Sequence, residues 1–128
     1  MTTEPRTSDH ALQITQAVLD AWRSGVDAHD PDSVAALFTD DALFQGLTPQ
    51  HGLGRQAVSA YYASQPAGMT VNYEVLSSRA ISPRVVLAFA DATFDFTDGS
   101  QTHVHLTVVL ERTNRSWKIG HYHVSRHG

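Results

Sequence analysis

Residues 85–124 read VVLAFADATFDFTDGSQTHVHLTVVLERTNRSWKIGHYHV, and this stretch decides the fold of the chain. Apolar and polar residues alternate in three runs, at residues 85–96, 101–112 and 117–124, as is typical of half-buried strands. An Asp98-Gly99 pair separates the first two runs, and Asp-Gly between alternating runs is a strong hairpin signal. The stretch therefore predicts three long antiparallel strands.

The length of the loop at Asp98-Gly99 decides which side chains share a face of the sheet. A two-residue loop, which is the register predicted here, pairs Thr97 with Ser100 and places Asp91 opposite Leu106. The face that bears Asp91 is then largely apolar and also comprises Phe89, Thr93, Leu106, Val108 and Leu110. The opposite face carries the strand histidines, which are His103, His105, His121 and His123. A three-residue loop would shift the register by one residue and exchange these neighbours.

Composition excludes several classes of function. The 128 residues suit one domain with a true core, and the absence of cysteine excludes disulfides, thiolate catalysis and cysteine-ligated metal sites. A net charge of −4 without a basic run disfavours nucleic acid as a partner. No apolar run approaches a membrane span, and residues 1–8 lack the apolar core of a signal peptide. We therefore expect a cytoplasmic protein without a membrane partner, with a flexible tail at residues 1–8 and a single domain at residues 9–128.

The part of the chain before residue 85 predicts three helices and two strands. An apolar stripe at helical spacing, which includes Trp22, runs from a cap at Ser8 to about residue 28. Asp30-Pro31-Asp32 combines a cap, a first-turn proline and an acid, and so begins a short second helix. Residues 55–64 predict the third helix, and residues 42–45 and 70–80 the strands. Helices followed by an antiparallel sheet define an α+β domain, and a sheet that curves around them would enclose a pocket.

Several motifs carry a family resemblance over nearly the whole chain. They are Trp22, Asp30-Pro31-Asp32, residues 37–44 (LFTDDALF), Gly54-Arg55 with Val58 and Tyr61-Tyr62, and residues 117–125 (WKIGHYHVS). These motifs resemble the nuclear transport factor 2-like superfamily, and in particular its SnoaL-like branch. The resemblance implies a cone-shaped, cystatin-like fold in which a curved antiparallel sheet wraps around three N-terminal helices. The superfamily includes ketosteroid isomerases, polyketide cyclases, scytalone dehydratase and the association domain of calcium/calmodulin-dependent protein kinase II, so the fold does not define the chemistry.

The resemblance implies a site in the cone but not an intact set of catalytic residues. The position of the isomerase base looks like Gly46, and that of its oxyanion-hole acid looks like Val108. The isomerase's helix-one tyrosine aligns near Trp22, whereas its second tyrosine matches Tyr62. The pocket arginines of the kinase domain are replaced as well, at Asp91 among other positions. The predicted pocket is lined by Trp22, Phe44, Gly46, His51, Phe89, Thr93, Leu106, Val108 and Val124.

Three residues are the predicted catalytic groups. On the predicted register Asp91 points into the apolar cone, where a desolvated carboxyl could act as a general acid or base. Tyr62 and Tyr122 could donate hydrogen bonds to a ligand carbonyl, in the manner of an oxyanion hole. The alternatives are that Asp91 is solvated or paired with an arginine such as Arg126, and that the tyrosines are core residues with satisfied hydroxyls.

The histidines allow two interpretations. His103-Val-His105 and His121-Tyr-His123 each place two imidazoles on one strand face, which is a feasible zinc or iron arrangement. On the predicted register no carboxylate of the first long strand joins them, so we expect no metal and no other cofactor, and instead a homodimer contact or a wet surface. His51, near the predicted pocket mouth, is a further acid–base candidate.

These observations leave three functions open. The first, which we favour, is a cofactor-independent enzyme of the cyclase, isomerase or dehydratase type, of the kind found in secondary metabolism. It would act on a small, largely apolar molecule with a carbonyl or enol, using Asp91 as the acid–base group and Tyr62 or Tyr122 to polarise the oxygen. The second is a non-catalytic pocket that binds a hydrophobic molecule. The third is an oligomerisation module that assembles through the histidine face.

Overall fold

The computed structural model describes residues 5–47 and 51–126, with the side chains of residues 5–9 excepted. The helices in these ranges are α1 (Pro5–Asp27), α2 (Pro31–Ala35) and α3 (Gly54–Ala63). The strands are β1 (Phe38–Gln45), β2 (Gly52–Leu53), β3 (Thr70–Ser82), β4 (Val85–Asp95), β5 (Gln101–Thr113) and β6 (Ser116–Arg126). None of the described helices is long and apolar enough to cross a membrane.

The strands form one curved, unclosed sheet in the order β2-β1-β6-β5-β4-β3. Neighbouring strands are antiparallel except for β1 and β6, which run parallel. Helices α1 and α3 pack on one face of this sheet, which we call the inner face, and the other is the outer face. The predicted α+β class, with helices on a curved sheet, is confirmed, and the parallel pair is its one departure from a purely antiparallel sheet.

The start of α2 agrees with the sequence prediction, whereas the start of α1 does not. Helix α1 begins at Pro5, three residues before Ser8, so the predicted cap at Ser8 is wrong. Proline suits the first turn of a helix, where its missing N–H costs no hydrogen bond. Residues 1–4 of the predicted tail lie outside the described residues. Helix α2 begins as predicted, because the Asp30 carboxylate accepts the backbone N–H of Ser33 at 3.2 Å.

The turn between β4 and β5 has three loop residues, Thr97, Asp98 and Gly99, where the sequence prediction had two. The N–H of Phe96 donates to the carbonyl of Ser100 at 3.0 Å, and the N–H of Gly99 donates to the carbonyl of Phe96 at 2.9 Å. Gly99 has a φ of 88°, the left-handed conformation that closes three-residue hairpin loops and that glycine adopts without a steric cost. The predicted register is therefore wrong by one residue.

The shifted register exchanges the two faces of β4. Asp91 lies opposite His105, and Thr93 lies opposite His103. The buried residues of β4 are Val86, Ala88, Ala90, Ala92 and Phe94. Phe89 is consequently 50% exposed on the outer face. The predictions that Phe89, Asp91 and Thr93 face the cone are wrong, because they rest on the two-residue loop.

Strands β5 and β6 present the faces that the sequence predicts. Leu106, Val108 and Leu110 of β5 are buried on the inner face, as is Val124 of β6. The strand histidines lie on the outer face, where they are exposed or half-buried. The error in register therefore affects the predicted faces of β4 alone. Asp91, the one carboxylate that the sequence prediction placed in the cone, lies on this strand.

Candidate ligand site in the cone

Three polar aromatic side chains meet inside the cone. Trp22 comes from α1, Tyr62 from α3 and Tyr122 from β6, and all three are buried. The Nε1–H of Trp22 donates to the Tyr62 hydroxyl oxygen at 3.0 Å, and the two tyrosine hydroxyls are hydrogen-bonded at 3.1 Å. Three of the predicted site residues therefore form one hydrogen-bonded chain, which we call the aromatic triad.

Apolar rings surround the aromatic triad. Phe44 of β1 stacks on Tyr122, with ring centroids 4.7 Å apart and planes inclined by 18°. Phe94 approaches Trp22 edge-on at 6.1 Å, and Phe38 lies 5.9 Å from Tyr122. Helical spacing on α1 and strand alternation on β1, β4 and β6 direct all these rings to the inner face. Such edge-on and stacked contacts make the end of the cone a closely packed aromatic cluster.

Burial keeps the two phenols of the triad neutral. Desolvation raises the pKa of both Tyr62 and Tyr122 above the ordinary tyrosine value. The neighbouring Tyr62 adds to the rise at Tyr122, whereas the hydrogen bonds with Tyr122 and Trp22 oppose the rise at Tyr62. Both hydroxyls stay protonated at neutral pH, and they can therefore donate hydrogen bonds but do not serve as bases.

The aromatic triad carries one more donor hydrogen than its hydrogen bonds use. The Trp22 nitrogen and the two tyrosine hydroxyls each hold one hydrogen, while two hydrogen bonds join the three groups. No other described residue accepts a hydrogen bond from them. When the chain of donors runs from Trp22 through Tyr62, the remaining hydrogen is that of the Tyr122 hydroxyl. The triad can thus offer one hydrogen bond to a ligand oxygen.

The inner face offers little acid–base chemistry. Apart from the aromatic side chains, the buried polar residues in the described ranges are Thr15 and Thr39. Thr15 donates to the carbonyl of Ala11 at 2.8 Å, and Thr39 donates to the Asp41 carboxylate at 3.1 Å. Both threonine hydroxyls already have acceptors. The aromatic triad is therefore the polar group of the cone that can donate a hydrogen bond to a ligand.

The end of β1 packs against the triad through Tyr61. A Cβ atom on Gly46 would clash with the Tyr61 Cζ atom, so only glycine fits this contact. The backbone N–H of Leu47 donates to the Tyr61 hydroxyl at 3.1 Å, and the Tyr61 ring lies 5.1 Å from the rings of Phe44 and Tyr62. Gly46, which the resemblance gave as the position of a missing base, thus makes room for Tyr61. From the sequence, Tyr61 was identified only as part of the Tyr61-Tyr62 motif.

Asp91 lies on the outer face, away from the tyrosines. Its Oδ1 atom is 2.8 Å from the Nδ1 atom of His105, and its side chain is 39% exposed. A groove of about 330 Å³ runs beside it, with Asn72 and Glu74 among the lining residues. Any proton transfer by Asp91 would therefore occur at this groove and not in the cone. The sequence missed the pair with His105 because of the register.

The remaining predicted pocket residues divide between the two faces. Leu106, Val108 and Val124 are buried on the inner face with the triad. His51 is exposed and lines a separate outer groove together with His121 and His123. Strand alternation assigned the pair on β6 to the outer face correctly, whereas the loop position of His51 has no periodic signal.

Comparisons with known proteins agree with this architecture. The model of a family described as the SnoaL-like domain matches residues 15–127, whereas no curated protein matches the sequence. A domain of unknown function with a cystatin-like fold from Nostoc punctiforme is similar, with a TM-score of 0.82 at 15% identity over 95% of this chain and 80% of that chain. A ketosteroid isomerase-like protein from Erwinia carotovora has a TM-score of 0.79 at 18% identity, over 94% of this chain and 98% of that chain. An NTF2-like protein of unknown function from Pseudomonas putida has a TM-score of 0.79 at 20% identity, over 93% and 88%.

The fold defines an α+β class whose similar solved structures include NTF2-like and cystatin-like proteins. Within that class the chain belongs to the SnoaL-like domain family, whose model matches most of its length. The resemblance stated from the motifs is confirmed. At these low identities the similarity to the solved structures shows the fold and does not transfer an activity.

Proposed function

We propose that this protein binds a small, largely apolar molecule with a carbonyl or enol oxygen at the aromatic end of the cone. The observation that carries the proposal is the unused donor hydrogen of the triad, which leaves the Tyr122 hydroxyl as a donor inside an apolar cluster. A hydrogen bond in such a low-dielectric site is stronger than in water, and a buried donor without an acceptor is costly. The rings around the triad are closely packed, so they must move apart to admit a ligand, whose oxygen would then satisfy that donor.

The chemistry of the cone favours binding over acid–base turnover. Neutral phenols with a raised pKa polarise a carbonyl, but abstracting a proton also needs a base. The predicted base, Asp91, lies on the outer face beside His105. The non-catalytic alternative therefore moves ahead of the cyclase, isomerase or dehydratase type that the sequence favoured.

A pair of matched probes tests the binding proposal. 2-Acetylnaphthalene carries a carbonyl oxygen, and 2-ethylnaphthalene has nearly the same shape without it. We expect the ketone to bind about twofold to tenfold more tightly by calorimetry, which corresponds to a net hydrogen bond of ~0.5–1.5 kcal/mol. Tyr122→Phe should weaken this preference, because it removes the donating hydroxyl and leaves the unused hydrogen on the Tyr62 hydroxyl, 3.1 Å away.

Tyr73→Phe is the control for this experiment. The Tyr73 hydroxyl donates to the Asp20 carboxylate outside the triad, so its loss should leave the preference for the ketone unchanged. Equal affinity of the wild-type protein for the two probes, or a preference that is undiminished in Tyr122→Phe, would refute the proposal.

Isotope exchange separates binding from catalysis. A protein that enolises a ketone exchanges the hydrogens next to the carbonyl with solvent, so the methyl group of 2-acetylnaphthalene can be followed by NMR in D₂O. We expect no acceleration over buffer. Exchange that the protein accelerates, and that Asp91→Asn abolishes, would instead support the acid–base role predicted for Asp91.

A further inference from the structure

A row of four polar side chains crosses the outer face of the sheet, and we call it the polar row. Its members are paired across neighbouring strands in the order Glu74 of β3, Asp91 of β4, His105 of β5 and Ser125 of β6. Directly opposed residues project from the same face of a sheet, with Cβ atoms about 4.5–5.5 Å apart. A carboxylate, an imidazole and a hydroxyl therefore stand side by side on three adjacent strands.

The carboxylate and the imidazole of the polar row are already paired. The Oδ1 atom of Asp91 lies 2.8 Å from the Nδ1 atom of His105. A contact at Nδ1 favours the neutral tautomer that carries its proton on Nδ1 and its lone pair on Nε2. The His105 side chain is 56% exposed, so a substrate can reach the ring. The pair thus has the form of a general base that a carboxylate orients.

Ser125 places its hydroxyl on the other side of His105. Val124 is buried on the inner face, so Ser125, the next residue along the strand, presents its exposed side chain on the outer face. Rotation about χ1 moves the Oγ atom between staggered positions and can turn it toward the imidazole. The hydroxyl need not donate to His105 in the free protein, because catalytic hydrogen bonds often tighten only when the substrate is bound.

We propose that Ser125, His105 and Asp91 form a second site, which transfers the acyl group of a small ester. A serine hydroxyl becomes a good nucleophile when an adjacent base takes its proton and a third group orients that base. This combination is recognised by geometry and roles, and it occurs on unrelated folds. The site lies on the outer face, away from the aromatic triad, and does not depend on ligand binding in the cone.

The surroundings of the polar row define the class of ester. The groove of about 330 Å³ beside Asp91 is lined mainly by polar side chains, which include Asn72, Glu74 and Thr93. An anionic substrate would meet the negative charge of Glu74 at the end of the row, and like charges brought together repel. We therefore expect a small ester without a negative charge.

The reaction has two steps, both of which use the same proton acceptor. In the first, Nε2 of His105 takes the hydroxyl proton while Oγ of Ser125 bonds to the carbonyl carbon. The ester C–O bond then breaks, and the imidazolium gives its proton to the departing alcohol oxygen. In the second step water attacks the acyl-serine, His105 takes the proton of the water and returns it to Oγ, and the carboxylic acid leaves. Asp91 is the positioning residue, which stabilises the imidazolium in both steps.

Hydrolysis of p-nitrophenyl acetate by the purified protein tests the proposal. We expect p-nitrophenol to be released faster than in buffer, and peptide mass spectrometry of the quenched reaction to find the acetyl group on Ser125. Ser125→Ala should abolish this acetylation and slow the release by at least about tenfold. His105→Gln should slow both by at least about tenfold, because a general base contributes roughly 10²–10⁴-fold.

Asp91→Asn tests the positioning role. The carboxamide keeps the size of the side chain but removes the charge that stabilises the imidazolium. We expect kcat to fall by at least about tenfold with KM unchanged, since the lost interaction strengthens only as the imidazole gains its proton. An unchanged kcat in this variant would overturn the role of Asp91.

Two matched variants are the controls. Ser116 is an exposed serine at the other end of β6, and His103 contacts the Thr93 hydroxyl at 3.0 Å instead of a carboxylate. Ser116→Ala and His103→Gln should keep the wild-type rate and the wild-type acetylation. Circular dichroism would establish that every variant is folded.

Several results would overturn the proposal. They are release no faster than in buffer, an acetyl group found on other residues and not on Ser125, and a rate that Ser125→Ala leaves unchanged. Equal losses in Ser125→Ala and Ser116→Ala would also contradict a specific nucleophile. Acetylation of Ser125 that persists at the wild-type rate in His105→Gln would exclude His105 as the base.

Discussion

The two faces of the sheet differ in chemistry although they alternate residue by residue along the same strands. The inner face presents the neutral donors of the aromatic triad within apolar rings. The outer face presents imidazoles and the Asp91 carboxylate. A shift of one residue in the β4–β5 register moves Asp91 from one face to the other. Register therefore decides whether the cone contains an acid–base group or only hydrogen-bond donors.

A pair of substitutions at adjacent positions of β4 should show the largest effect. Ala90 is 1% exposed on the inner face, and Ala90→Asp would bury a carboxylate without a partner. We expect this change to lower the free energy of unfolding by more than about 4 kcal/mol. Asp91→Asn, at a 39% exposed side chain, should cost less than about 1 kcal/mol. Urea denaturation measures both, and a larger cost for Asp91→Asn would contradict the observed register.

Alkaline pH should lower the free energy of unfolding through the buried tyrosines of the inner face. Burial raises the pKa of Tyr62 and Tyr122 in the folded protein, while an unfolded tyrosine titrates near about pH 10. Below that pH the folded and the unfolded protein both keep their phenol protons. The contribution of the two tyrosines to the free energy of unfolding is therefore fully present and does not change with pH. Above it the unfolded state loses protons first, and stability should fall by up to ~1.4 kcal/mol per pH unit for each tyrosine.

Denaturation with urea at pH 9 and pH 11 measures this loss. Tyr62→Phe and Tyr122→Phe should each reduce the difference between the two values, whereas Asp91→Asn should leave it unchanged. All four tyrosines of the chain, Tyr61, Tyr62, Tyr73 and Tyr122, have a raised pKa. The folded protein should accordingly show little tyrosinate absorbance near pH 10. Full tyrosinate formation there without unfolding would contradict the burial of the triad.

Within the triad the two phenols should differ in their contribution to stability. Tyr62→Phe removes the acceptor of Trp22 and the partner of Tyr122, and so leaves two buried donors without acceptors. Tyr122→Phe removes one donor and one acceptor together, which leaves one unused donor, as in the wild type. We expect Tyr62→Phe to cost about 1–3 kcal/mol more than Tyr122→Phe, which is the desolvation cost of one unsatisfied donor. Equal costs in urea denaturation would contradict this order of donors.

Most of the fold followed from the sequence because periodicity reports burial directly. The spacing that placed Trp22 on α1 and the alternation that placed Tyr122 on β6 both gave the correct face. The loop at Asp98-Gly99 did not, because both hairpin types use glycine for its left-handed conformation. The pattern of β4 itself could not reveal this error in register. Phe89 and Ala90 are both apolar but lie on opposite faces, so alternation does not show which face is buried. The contact between the Trp22 indole and the Tyr62 hydroxyl depends on helix packing, which no local pattern encodes.

A substitution at the most exposed part of β4 should have the smallest effect on stability. We expect it to change self-association instead. Phe89 is 50% exposed, and Leu87 and Val109 lie beside it on the outer face. Because exposed apolar patches of this kind mark contact surfaces, we propose this patch as the contact of a homodimer, which the sequence had led us to expect at the histidine face. Phe89→Ser should change the free energy of unfolding by less than about 0.5 kcal/mol, as is usual for exposed positions.

The same substitution should weaken self-association strongly, because burying a phenylalanine side chain contributes about 1.5–3 kcal/mol, and a two-fold contact contains two copies. Light scattering across a concentration series measures the shift from dimer to monomer. Leu53→Ser, at a 65% exposed residue of the edge strand β2, is the control that should leave the dimer intact. A monomeric wild type, or a Phe89→Ser variant that remains dimeric, would exclude this patch as the contact. The outer face would then be left with the chemistry of its imidazoles and of the Asp91 carboxylate.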